Sequence, residues 1–178
     1  MLSFDNPLTP SALVPEYRNL IERIYKTVMD PSAWMPLLHD LVAATSSTSA
    51  RLLVMNAEAS AVNYNIKINL DDDHHRQHID CCINKCPWRP GLRRTAAGRL
   101  YSTHLDFIRR QPEFYQTAFY NEWAQLLHIH HALCGTIYQD SSQTAHLLIK
   151  RSPDQGYYSK AETEFVNHLV PHMQHSFL

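Results

Sequence analysis

The residues of this chain that could take part in metal chemistry are its histidines, above all the pair His128 and His130. Two residues apart on a strand, both side chains would point to the same face, as a metal site requires. In a regular hairpin, however, His146 would pair with Ile137. This pairing places His146 about seven residues, or on the order of 23 Å, from His130 and on the opposite face. The pair therefore lacks a nearby third ligand, and a metal-dependent hydrolase that uses these two histidines is retained as an alternative.

A second group of possible ligands lies between residues 71 and 86. If residues 71–84 are helical, His74, His78 and Cys82 share one stripe at four-residue steps. At about 1.5 Å of rise per residue the outer two are roughly 12 Å apart, which is too far to share one ion. The sequence also contains no Cys-x-x-Cys pair, Gly-x-Ser-x-Gly elbow, Gly-rich phosphate loop or His-Glu-x-x-His motif. We predict a protein that is not an enzyme and needs no metal or cofactor.

The aromatic residues between positions 113 and 123 indicate a binding site of another kind. On the helix expected over residues 112–127, Tyr115, Phe119 and Trp123 form one stripe, while further aromatics lie elsewhere on the circumference. Such a helix is buried on more than one side, either as part of the core or as a wall of an apolar ligand pocket. We predict a pocket for a largely apolar small molecule, lined by Tyr64, Trp88, Tyr115, Phe119 and Trp123.

The helices that would position this pocket follow from the spacing of apolar residues. Residues 1–15 contain three prolines and little periodicity, which predicts an irregular arm before one domain over residues 16–178. Three- and four-residue apolar steps predict a helix over residues 17–28. Asp30 and Pro31 then predict the cap and first position of a second helix, with an apolar face from Trp34 to Val42.

The strands are predicted by alternation. From Val62 to Leu70 apolar and polar residues alternate strictly, which indicates a strand with one wet face, and residues 51–56 are its expected partner. A second hairpin is expected from residues 131–139 and 144–151. Because sequential neighbours would be antiparallel and helical segments separate the hairpins, the fold class is α+β, with a mainly antiparallel sheet flanked by helices.

The C-terminal segment is predicted to be a linker helix and part of a dimer interface. Ser159 and Glu162 form a capping box, and Pro171 predicts a kink or a restart near Val170. The last residues contain no glycine stop, so the helix is expected to continue past Leu178. Its apolar face is wider than a two-helix seam, so one part is expected to pack within the domain while the remainder stays free for a partner. This favours a homodimer built from this helix and the first. That face consists of Phe165, Val166, Leu169, Val170 and Met173.

Composition restricts the possible partners. The sequence has 16 Lys plus Arg and 17 Asp plus Glu, so its net charge gives no electrostatic attraction to nucleic acid or anionic lipid. A run of arginines between residues 89 and 110 is read as a solvated loop, with anion or acidic-partner binding as the alternative. The sequence shows neither a secretory leader nor an apolar run of about 18 residues, which predicts a cytoplasmic protein without membrane contact. The four cysteines are expected to be reduced.

Several short motifs, taken in order, resemble the N-terminal sensory region of LuxR-type helix-turn-helix regulators. The last of them is similar to the helix that leads toward the DNA-binding part in that group. The motifs are Asp30-Pro31-Ser32-Ala33-Trp34, Cys86-Pro87-Trp88, Gly98-Arg99-Leu100, Pro112-Glu113-Phe114-Tyr115 and Leu169-Val170-Pro171-His172-Met173.

The resemblance covers roughly residues 17–175 and implies a GAF- or PAS-like sensor fold. It implies a small-molecule ligand, a homodimer, and contact with DNA only through a separate helix-turn-helix domain. Cys86 stands where the family usually has Asp before Pro-Trp. The chain also lacks the full aromatic and acidic set of acyl-homoserine-lactone receptors, so that ligand is not implied. A ligand-free dimerisation module remains an alternative.

Overall fold

A computed structural model of the protein describes residues 10–58, 60–70, 87–88, 94–107 and 111–178. The helix predicted around His74, His78 and Cys82 lies outside these residues, as do four of the six arginines in the basic run. Within the described part of the chain, no helix combines the length and apolar character needed to cross a membrane.

Two helices open the described chain, α1 (Pro10–Met29) and α2 (Trp34–Ala44). Helix α1 begins earlier than predicted, because Pro10 occupies a first helical position, where the missing N–H is not needed. The predicted cap is confirmed. The Asp30 carboxylate accepts a hydrogen bond of 2.9 Å from the backbone N–H of Ser32, at a short 3-10 turn that leads into α2.

The strands of the described residues are β1 (Ser49–Asn56), β2 (Val62–Ile68), β3 (Tyr101–Ser102), β4 (His131–Gln139) and β5 (Gln143–Arg151). These five antiparallel strands form one sheet in the spatial order β2-β1-β5-β4-β3. Both predicted hairpins are confirmed, β1 with β2 and β4 with β5, and their contact in the centre of the sheet joins them. Two further helices follow in the chain, α3 (Gln111–Tyr115) and α4 (Lys160–Gln174).

Helices α1, α2 and α4 cover one face of the sheet. The predicted capping box of α4 is present, and the helix runs on through Pro171 instead of restarting there. All five residues of its predicted apolar face are buried in the core that this face of the sheet shares with α1 and α2. The expectation that part of this face stays free for a partner is therefore wrong, because the domain's own packing uses the whole of it.

The β4–β5 hairpin departs from a regular ladder at Ile137. Gln139 faces Thr144, but the register shifts between Thr136 and Tyr138, so His146 pairs with Thr136 and not, as predicted, with Ile137. The Thr136 hydroxyl lies 3.0 Å from the Nδ1 atom of His146. The bulge keeps Ile137 fully buried on the helical side, which a regular hairpin with the same loop would not do.

Candidate functional site

The face of the sheet opposite α1, α2 and α4 carries a second apolar core, here called the aromatic cluster. Side chains alternate along a strand, so Cys134 and Leu148 point away from the helical face on which Leu133 and Ile149 are buried. Leu148 is partly buried and packs against the cluster. The buried members of the cluster are Trp88, Phe114, Phe119, Tyr120, Trp123, Ala124, Ile129, Ala132 and Cys134.

The cluster forms because the segment after α3 is not one regular helix. The Thr117 hydroxyl donates to the carbonyl oxygen of Phe114 at 2.6 Å and accepts from the backbone N–H of Tyr120 at 3.1 Å. These side-chain bonds compete with the helical ladder, and a π-helical turn (Tyr120–Ala124) follows. The predicted single helix over residues 112–127 is thus wrong, and the break lets rings from several directions meet.

Phe114 lies at the centre of the aromatic cluster and is fully buried. Its ring stacks on Trp88 with centroids 4.1 Å apart and an angle of 18° between the planes. It meets Tyr120 edge-on at 5.1 Å and Phe119 at 6.1 Å. Offset and edge-on pairs at these distances are favourable beyond their buried area. The cluster is therefore a wall of mutually supporting rings.

The structure brings four of the five predicted pocket residues together. Trp88, Phe119 and Trp123 are buried in the cluster, and Tyr115 packs against it. Tyr64 lies apart, because it pairs with Val54 on the helical face of the sheet and lines a cavity of about 230 Å³ there. A ligand role for these five residues stays a prediction.

Two aromatic residues of the cluster were missing from the predicted lining. Phe114 and Tyr120 were assigned to other sides of a regular helix, and the break at Thr117 turns both inward. Their presence in the same aromatic run was the signal that could have found them.

Polar atoms within the cluster could orient a bound molecule. The Tyr120 hydroxyl lies 2.8 Å from the Nε2 atom of His130. Burial and then the neighbouring Tyr115 raise the pKa of Tyr120, whereas burial and then His128 lower the pKa of His130 against an opposing effect of Asp154. Both groups are therefore neutral at neutral pH. Among the described residues the buried indole N–H of Trp88 has no hydrogen-bond partner, so an acceptor on a ligand would satisfy it.

The histidine pair is not assembled into a metal site by the residues that the structure describes. His130 is engaged with Tyr120, and His128 is exposed in a turn with a positive φ of 53°. No group of three or more His, Cys, Asp or Glu side chains that could hold a metal ion occurs in the described ranges.

Neither a family model nor a curated protein sequence matches the chain. Solved structures do match it. The VqsR LBD domain from Pseudomonas aeruginosa aligns with a TM-score of 0.64 and 13% identity over 90% of this chain and 96% of that one. The N-acylhomoserine lactone dependent LuxR family transcription factor CepR2 from Burkholderia cenocepacia gives 0.63 and 10%, over 90% of this chain and 93% of that one.

A third similar structure is the GAF domain of the Acinetobacter phosphoenolpyruvate-protein phosphotransferase. It gives a TM-score of 0.56 at 7% identity over 95% of this chain and 93% of that one. The chain has the fold of LuxR-type ligand-binding domains and of GAF domains.

This GAF-like fold confirms the α+β prediction and gives the two faces of the sheet different surroundings. Helices α1, α2 and α4 pack on one face, and the aromatic cluster packs on the other. Strands β4 and β5 contribute side chains to both cores, so only the thickness of one strand separates the two cores.

Proposed function

We propose that this domain senses a small, largely apolar molecule and belongs to a LuxR-type transcriptional regulator that contacts DNA through a separate helix-turn-helix domain. The observation that carries the proposal is the aromatic cluster on the sheet face opposite the helices, with an indole N–H that lacks a partner among the described residues. Walls of aromatic rings with few polar atoms are typical of small-molecule sites. The similar structures are ligand-binding and GAF domains, which favours a sensor over an enzyme. Such a regulator acts in the cytoplasm.

Helix α4 is the element through which we propose that ligand binding is relayed. Its Asn167 side chain both accepts from the Leu100 N–H at 2.7 Å and donates to the Leu100 carbonyl at 3.0 Å. Its Gln174 amide donates to the Ile137 carbonyl, at the bulge of β4. A shift of β4 on ligand binding would therefore move α4, and a DNA-binding domain that follows α4 would sense this change.

The proposed binding face can be tested with two matched variants. Phe119→Leu shrinks a ring in the aromatic cluster, and Phe165→Leu shrinks a ring of similar burial on the helical side. We expect the neutral reporter N-phenyl-1-naphthylamine to bind the native domain saturably. Its affinity should fall about tenfold in Phe119→Leu and stay within a factor of two in Phe165→Leu.

Urea titration serves as the control, because each variant should lose a similar free energy of unfolding, about 1 kcal/mol. Equal affinities in the two variants, or no saturable binding of the reporter and no copurifying organic molecule, would contradict the proposal. The second result would favour a ligand-free dimerisation module instead.

We also propose that the domain forms a homodimer, as placing two DNA-binding domains on a two-fold operator requires. Because the apolar face of α4 is buried within the domain, a second copy would have to use other residues. Exposed apolar side chains gather where α1 ends and α2 begins, at Val28, Met29 and Met35, with Met29 87% exposed. Exposed apolar side chains in a group are suited to protein contact.

A further inference from the structure

A row of side chains crosses four strands on the face that carries the aromatic cluster. Lys67 of β2 lies opposite Arg51 of β1, which in turn lies opposite Leu148 of β5. Leu148 lies opposite Cys134 of β4, and both contribute to the aromatic cluster or pack against it. The row therefore runs from an apolar end beneath the aromatic rings to a cationic end at strand β2.

Arg51 is buried with few partners. It is only 6% exposed, and its Nε atom donates one hydrogen bond, 2.9 Å long, to the Asn65 side chain. A guanidinium has five N–H donors, so four of them find no protein acceptor among the residues that the structure describes. Nor does any described carboxylate lie within ion-pair distance of Arg51. Burial lowers the pKa of Arg51 to about 10, so the group remains a cation at neutral pH.

Arg151 shows how this chain surrounds a buried arginine that has a structural role. It is 3% exposed, and its guanidinium donates to the Glu162 carboxylate and to the carbonyl oxygens of Thr45 and Tyr157. A buried cation is costly unless such partners compensate the lost water. By contrast, Arg51 has donors that no described residue uses, and an acceptor from outside these residues would satisfy them.

We propose that Arg51 binds the carboxylate of the sensed molecule while the apolar body of that molecule lies against the aromatic cluster, so that the ligand is a small amphipathic carboxylic acid. This inference rests on the function proposed above. Arginine is the side chain best suited to hold a carboxylate, through two parallel hydrogen bonds. Lys150, which is 7% exposed and lies on the same face with its ammonium 5.9 Å from the Trp123 ring centre, adds positive charge beside the rings.

The spacing of the strands sets the size of the ligand. Neighbouring strands are about 4.8 Å apart, so Arg51 and Cys134, two strands from each other, are separated by roughly 10 Å. A saturated chain of about eight carbons spans this distance from carboxylate to apolar end. Octanoate is therefore a suitable probe, and octanamide and octanol are its uncharged counterparts with the same body.

The test measures displacement of N-phenyl-1-naphthylamine by the three probes from the native domain and from Arg51→Met, Arg51→Lys and Arg99→Met. We expect octanoate to bind the native domain at least tenfold more tightly than octanamide or octanol. The affinity of Arg51→Met for octanoate should be about tenfold to hundredfold lower than that of the native domain, and its affinity for the neutral probes should change little. The octanoate affinity of Arg51→Lys should lie between those of the native domain and Arg51→Met. Arg99→Met is the control, because Arg99 is exposed and paired with Glu164; it should leave all three affinities unchanged.

Urea unfolding of the ligand-free variants adds an independent measurement. Arg51→Met should be as stable as the native domain or more so, because a buried cation is replaced by an apolar chain of similar length. If Arg51→Met is clearly less stable, Arg51 is held by partners within the chain beyond Asn65 and the inference is overturned. Neutral probes that bind the native domain as tightly as octanoate also overturn it, yet leave the proposed sensor function intact. If neither the reporter nor any probe binds, the sensor proposal fails as well.

Discussion

Replacing Glu162 with glutamine tests how the first turn of α4 is held to the sheet. The Glu162 carboxylate accepts from the Arg151 guanidinium, and these two side chains are 10% and 4% exposed. It also accepts from the Ser159 N–H, while the Ser159 hydroxyl accepts from the Glu162 N–H. Glutamine keeps the shape but removes the negative charge, and its single acceptor oxygen can accept from Arg151 or from the Ser159 N–H but not from both. Arg151 is then buried with only carbonyl oxygens as hydrogen-bond acceptors.

The expected cost of Glu162→Gln follows from the lost charge and the lost second acceptor oxygen. Removing one partner of a buried ion pair costs about 3–5 kcal/mol, and the retained amide acceptor should reduce this to about 2–3 kcal/mol. Glu162→Ala is the matched comparison, because it removes both side-chain acceptors while the Ser159 hydroxyl can still accept from the N–H of residue 162, and it should cost roughly a further 1 kcal/mol. Urea denaturation at pH 7, followed by circular dichroism, measures both.

The pH dependence gives the same prediction a second measurement. Burial by itself would raise the pKa of Glu162, but hydrogen bonds from Arg151 and Ser159 outweigh it, so the folded-state pKa lies below the ordinary value. The ion pair therefore stabilises the native protein fully above the unfolded-state pKa of about 4.3, and this contribution is lost as the pH falls through the folded-state value. The gap between native protein and Glu162→Gln should narrow below about pH 4. A gap that is absent at pH 7, or constant down to pH 3, would refute the reasoning.

Two further predictions concern the dimer and the close contact between Gly135 of β4 and the Arg99 backbone. Sedimentation of the native domain at tens of micromolar should show a dimer, and Met29→Glu should yield a folded monomer. Leu126→Glu, which changes another exposed apolar residue, should leave the dimer intact. A monomeric native domain would contradict the dimer proposal. Gly135→Ala should destabilise the domain by about 3 kcal/mol or more in urea, because its Cβ atom would lie 2.2 Å from the Arg99 carbonyl oxygen. Gly156→Ala should lower the free energy of unfolding by only about 1 kcal/mol, because the new Cβ atom meets open space and only the φ of 70° is unfavourable. Equal losses of stability in the two variants would contradict the packing described.

Local spacing in the sequence was enough to determine most of the elements. The Asp30 cap, the Ser159–Glu162 capping box and both hairpins were predicted because each depends on residues a few positions apart. The apolar faces of α2 and α4 were predicted for the same reason, and the structure buries every residue assigned to them. The resemblance to LuxR-type sensors was likewise carried by short motifs, and LuxR-type ligand-binding domains are among the similar structures.

The arrangement of the site was decided only by tertiary structure. Thr117 breaks the expected aromatic helix through two hydrogen bonds, so Phe114 and Tyr120 turn inward with Phe119 and Trp123. Tyr64 falls on the other face because strand parity and pairing, not aromatic character, decide where a side chain points.

Arg51 shows most clearly what the sequence alone could not predict. In the sequence it is one arginine within an apolar strand, with no motif around it. Its burial, and its place in a row that reaches the aromatic cluster, follow from the order β2-β1-β5-β4. Strand order depends on contacts between residues nearly a hundred positions apart, which no local periodicity records, so the sequence determined the elements and only the assembled sheet brought a cation and a wall of rings to one face.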